Sequence, residues 1–141
     1  MKPYVFKEHT ADIIAQASGA SLENAFAAIA QALFDVITDG SEIENDRERT
    51  IEVSSIDREG LLVGFLSDLI VLHETEDEVY GNFEIRMLPD HRLTAVCRGE
   101  RFDPERHGEG TPVKGISYHM LEIAEPSTDQ RLWSIQVLFD I

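Results

Sequence analysis

Oxygen ligands stand at both ends of this chain. Near the start, Glu8-His9-Thr10-Ala11-Asp12-Ile13 closes a first apolar run and sets an acid, Asp12, where the chain enters a strand. Short polar side chains favour turns and caps over strands, so this placement is locally unfavourable, as functional positions often are. At the far end, Asp140 and the terminal carboxylate of Ile141 finish a strong strand pattern, two anionic groups one residue apart. Carboxylates match hard cations such as calcium, magnesium or manganese in charge and softness. If the two ends meet, Asp12, Asp140 and Ile141 form one anionic pocket for such an ion, with His9 as a further candidate ligand. Spacing alone leaves open the plainer alternative of unrelated surface acids and a polar edge histidine.

Signatures of catalysis are missing. There is no HExxH, no GxSxG, no glycine-rich phosphate loop and no cysteine–histidine zinc spacing. Lys114, in Pro112-Val113-Lys114-Gly115-Ile116, stands at the mouth of a strand, where it either meets an anionic partner or is solvated surface. The single cysteine, Cys97, cannot make an internal disulfide and reads as a small core residue within a strand.

Charge limits the partners. With 27 acids against 12 Lys and Arg, the net charge is −15. Such a chain repels polyphosphate, since nucleic-acid affinity comes largely from neutralising phosphates, so direct RNA or DNA binding is not expected. Cations or a protein with a basic surface are the expected partners. No apolar run approaches the ~20 residues of a membrane span, and the first residues lack a secretory leader's apolar core, so the expected location is the cytoplasm.

The elements that must position these groups follow from periodicity. At 141 residues a single domain over 1–141 is expected. Tyr4 to Phe6 and Asp12 to Ala17 read as short strands. Ser21 caps a helix whose apolar stripe runs from Leu22 to Ile37, with Asp39-Gly40 as the stop. Arg49 to Ile56 alternates as a half-buried strand. Asp57 caps a second helix with a broader stripe, Leu61 to His73, which suggests a central place in the packing, and the acid run Glu74 to Glu78 reads as loop. Val79–Leu88, Arg92–Gly99, Gly115–Ile123 and Arg131–Ile141 are strands, the first two a hairpin about Pro89-Asp90-His91. Residues 102–112 read as a long loop. The sum is an α+β two-layer domain, two helices packed on one face of a mostly antiparallel sheet.

His9-Thr10-Ala11-Asp12-Ile13, Val113-Lys114-Gly115-Ile116-Ser117-Tyr118-His119 and the closing Phe139-Asp140-Ile141 together resemble the archease family, over essentially the whole chain. The resemblance implies a non-enzymatic activator of an RtcB-type RNA ligase in tRNA splicing and RNA repair, which promotes guanylylation of the ligase and its repeated turnover. It implies a calcium site at Asp12, Asp140 and Ile141, the last through its terminal carboxylate, with manganese or magnesium as other candidate ions. It further implies that Lys114 acts at the ligase contact, with Thr10 and His9 supporting the first motif. The family often has a small residue where this chain has Ile14, which could crowd the site. Rival readings are a chaperone of tRNA-modifying methyltransferases and a small metal-dependent hydrolase; no general base or nucleophile near Asp12 favours the latter.

Overall fold

The computed structural model describes residues 2–9, 12–88 and 91–141, with the side chains of residues 7–9 and 88 left aside. The elements run β1 (Tyr4–His9), β2 (Asp12–Gly19), α1 (Leu22–Thr38), β3 (Arg47–Ser54), α2 (Arg58–Glu76), β4 (Glu78–Leu88), β5 (Arg92–Arg101), α3 (Pro104–His107), β6 (Gly115–Ala124) and β7 (Trp133–Asp140). Every strand pairing is antiparallel, and the class is α+β. The strands divide between two sheets, β1-β2-β7-β6 and β3-β5-β4, where the sequence suggests one. Alternation reveals that a strand has a buried face but not which neighbour it pairs with, so the division leaves no local mark.

The two long helices start where short side chains can cap them. The Ser21 hydroxyl accepts the Asn24 N–H at 3.0 Å, and the Asp57 carboxylate accepts the Gly60 N–H at 2.7 Å, each satisfying an otherwise orphaned donor. Asp39 and Asp77 end the helices in the left-handed region, at φ 56° and 55°.

The more enclosed helix is α1, not α2. Its alanines 25, 28, 30 and 32 are buried beside Phe26, Ile29, Leu33 and Phe34, and small residues let it lie close to both sheets, against β2 and β4. α2 packs on β6 and β3, and leaves Val71 exposed. Each large apolar side chain buried between the layers contributes about 1.5–3 kcal/mol relative to exposure.

The acid run 74–78 is also not loop. α2 continues to Glu76, and Glu78 opens β4 with its side chain fully buried. Glu78 Oε1 accepts from Arg49 Nε (2.8 Å) and the Tyr80 hydroxyl (2.7 Å), and Oε2 from Arg47 (2.8 Å) and Arg49 (3.1 Å). Four donors from β3 and β4 compensate the carboxylate for leaving water.

The long loop contains the one-turn α3 and is tied to the end of α1. Buried His107 accepts the Asp103 N–H on Nδ1, and its Nε2 lies 2.9 Å from Glu100, which also accepts the Glu44 N–H at 2.6 Å. The Thr111 N–H donates to Val36 O, and the Ser41 hydroxyl bridges the carbonyls of Thr38 and His107. The ring of Phe102 stacks on His107. This anchorage fixes the approach to Val113-Lys114-Gly115. Cys97 is buried, and burial pushes its thiol up to about 12, out of reach of thiolate chemistry.

Candidate functional site

β2 and β7 are neighbours in the middle of their sheet, and their register sets Asp12 opposite Asp140. Directly opposed residues of an antiparallel pair lie about 4.5–5.5 Å apart at Cα and point to the same face. The two ends of the chain therefore meet. Both acids are half-buried, and the side chain of Asp12 hydrogen-bonds to that of Asp140. The carboxyl of Asp140 is pushed above its ordinary value, first by desolvation, then by the hydrogen bond and negative charge of Asp12. Two carboxylates in this relation either share a proton or receive a cation.

The side chain of Ile141 is partly buried against the core, so the terminal residue is held and its carboxylate follows Asp140 by one residue. Among the described residues no three His, Cys, Asp or Glu side chains gather as a metal cluster. The oxygens that this geometry offers a cation are the carboxylates of Asp12 and Asp140, the latter on the strand that leads into Ile141. The set consists of oxygens alone, which suits calcium or magnesium rather than zinc.

Lys114 reaches the same place from the residue before β6. Its backbone N–H donates to Asp140 O at 2.7 Å, Gly115 is the register partner of Asp140, and the lysine side chain is exposed. His9 is the register partner of Asp12 across β1–β2, and Thr10 lies outside the described residues. Ile14 does not stand among the acids. It occupies the next outward position along β2, opposite Leu138, and both are buried there, at 6% and 3% exposed, apart from the main core.

Sequence reasoning missed three features. His107 reads as one of five scattered histidines, because its partners lie in a loop without periodicity. Glu78 reads as part of a loop, because the arginines that neutralise it are about thirty residues away. The third is in β6, whose uniform strand pattern gives no sign that Tyr118 to Leu121 leave the ladder. The positive φ of Met120, 62°, could have been signalled by Gly or Asn, and neither is there.

The model of the Archease protein family matches residues 4–141. The chain belongs to the archease family. It is 42% identical to Protein archease of Pyrococcus abyssi, with all of both chains covered. To that of Methanosarcina mazei it is 34% identical, over 99% of this chain and 97% of the relative. The solution structure of protein 1598 of Methanobacterium thermoautotrophicum superposes with a TM-score of 0.79 at 33% identity, each chain covered in full. The crystal structure of a Thermotoga maritima archease, described as a possible chaperone, is similar in fold, with a TM-score of 0.66 at 23% identity over 96% of this chain and 94% of that one. The archease chain thus carries its paired acids on a sheet shared with these relatives. No helix among the described residues is long and apolar enough to cross a membrane.

Proposed function

We propose that this archease is a non-catalytic activator of an RtcB-type RNA ligase, acting through the tip where Asp12, Asp140, Ile141 and Lys114 converge. The observation that carries the reading is the cross-strand pairing of Asp12 with Asp140, with Lys114 bound by its backbone to the same residue. The tip would hold calcium, or another hard divalent ion, between the two aspartates and the terminal carboxylate. Such an ion would offset the desolvation that chiefly raises Asp140 and the charge of Asp12 that adds to it, and would make the tip rigid.

A net charge of −15 opposes RNA binding and suits the basic groove in which a ligase holds RNA. The tip enters that groove near the nucleotide site and promotes guanylylation of the ligase, so the ligase turns over repeatedly. Lys114, with its backbone bound to Asp140 and its side chain exposed, contacts the ligase or the phosphates it holds.

The test is multiple-turnover ligation with the ligase limiting, at varied calcium and manganese. The wild-type chain should stimulate, and Asp12→Asn, Asp140→Asn and Lys114→Ala should each fold and fail to do so. Stimulation retained by all three variants refutes the reading. Suppression of methyltransferase aggregation without any effect on ligation would replace it with the chaperone reading.

A further inference from the structure

Residues 12, 14, 16 and 18 of β2 and 134, 136, 138 and 140 of β7 face away from α1, because Ala15, Ala17, Ile135, Val137 and Phe139 of the alternate positions belong to the core. From the tip inward, this outer face reads as an acid pair, the apolar pair Ile14–Leu138, and the amide pair Gln16–Gln136, hydrogen-bonded at 2.7 Å. β6 borders it. Ser117 pairs with Leu138 and Glu122 with Gln136, so four residues, 118–121, stand opposite Val137 alone.

This excursion is built rather than frayed. The Ser117 hydroxyl accepts the His119 N–H at 3.0 Å, and Gln136 Nε2 donates to Met120 O at 2.9 Å. Met120 is held at φ 62°, a region that side-chain-bearing residues avoid and that persists where surrounding structure imposes it. The result is two large apolar side chains in solvent, Tyr118 at 62% and Met120 at 42% exposed. One exposed apolar side chain is ordinary; two on a hydrogen-bonded, strained excursion beside an acidic site are not.

At about 3.4 Å per residue, Tyr118 lies roughly 10 Å along the strand from Gly115, the partner of Asp140. Aromatic and methionine side chains are enriched where proteins meet, and methionine adapts to an irregular partner surface. The acid pair at the end of the neighbouring ladder and the charge of −15 require the partner to be basic at one end of this footprint.

We propose that Tyr118 and Met120 form a second docking contact, which grips an apolar ledge of the RNA ligase roughly 10 Å from the basic groove that receives Asp12 and Asp140. The proposal rests on the ligase reading above and adds to it where the affinity comes from.

The experiment measures binding to the purified ligase, and stimulation against chain concentration, for wild type, Tyr118→Ala, the double variant Tyr118→Ser with Met120→Ser, and Asp12→Asn. Thermal melts verify folding; the single exposed substitution serves if the double variant does not fold. The expected result is at least a tenfold rise in the dissociation constant and in the concentration giving half-maximal stimulation, with the loss overcome by adding more chain. Asp12→Asn should fail at every concentration. Wild-type affinity in the folded Tyr118 variants overturns the docking contact alone. A wild-type chain that does not bind the ligase overturns the ligase reading and this contact with it. Single-stranded RNA bound by wild type and released by the Tyr118 variants overturns the proposal by giving the excursion to nucleic acid.

Discussion

Glu78→Gln should lower stability at neutral pH and matter progressively less in acid. The substitution keeps the size of the side chain, so no cavity contributes. It removes the charge and turns one oxygen into a donor facing the guanidinium donors of Arg47 and Arg49. In the native chain those hydrogen bonds, Arg49's first, hold the Glu78 carboxyl at about 2 against an ordinary 4.5, although burial opposes the shift. At 1.36 kcal/mol per pH unit the gap corresponds to about 3 kcal/mol. The side chains of Arg49 and Arg47 are 38% and 49% exposed, so water screens them, and a realistic figure is roughly 2 kcal/mol. The sign follows from linkage: a depressed acid contributes its full stabilisation above the unfolded value of about 4.5 and loses it as pH falls through about 2. Thermal melts of wild type and variant should differ by about 6–8 °C at neutral pH, and by less than half of that near pH 3. A difference that is absent at neutral pH, or that does not shrink in acid, would refute the network as a source of stability.

Two further outcomes follow from the same structure. Adding one glycine after Ile141 should move the terminal carboxylate about 3.4 Å from Asp140 and weaken calcium binding at least tenfold by calorimetry, with the melting temperature of the calcium-free chain unchanged. The ring of His107 is held below its ordinary value, chiefly by burial and then by the neighbouring Arg106 charge, so stability should be complete above about pH 6.5 and decline below it as the unfolded chain gains a proton the native state resists; His107→Gln should flatten that slope in melts taken between neutral and mildly acid pH.

Where the chain states its structure locally, it can be read. Ser21 and Asp57 announce their helices because a cap needs only the residues three positions on, and Asp39-Gly40 ends α1 as its side chains suggest. The strands of the second half are legible for the same reason, since alternation is a property of consecutive residues, although it does not say which strands pair. What was illegible depends on partners far away. Glu78 looks like loop until Arg47 and Arg49 arrive from β3, and α2 looks central until the alanines of α1 are seen to fit between sheets. The juxtaposition of Asp12 and Asp140 lies between these cases. Two unfavourably placed acids at strand ends hint at a shared site, but only the β2–β7 register, which no spacing encodes, puts one opposite the other.

One strand arranges everything the proposed function needs. β7 is last in the chain yet interior in its sheet, with β2 on one side and β6 on the other, so it cannot fray without opening two ladders. That is why Ile141, at a position ordinarily mobile, is partly buried against the core, as the proposed ligand role requires. Its outward positions then distribute the roles: residue 140 meets Asp12 and Gly115 and receives the Lys114 N–H, residue 138 meets Ile14 and Ser117, and residue 136 holds the carbonyl of Met120. A slip of one residue in β7 would turn all three to the core and bring Val137 and Phe139 into water. The burial of those two residues therefore fixes the register, and the register fixes the site. The acids, the lysine and the Tyr118–Met120 excursion are consequently no more independent of one another than the rungs of the ladder that carries them.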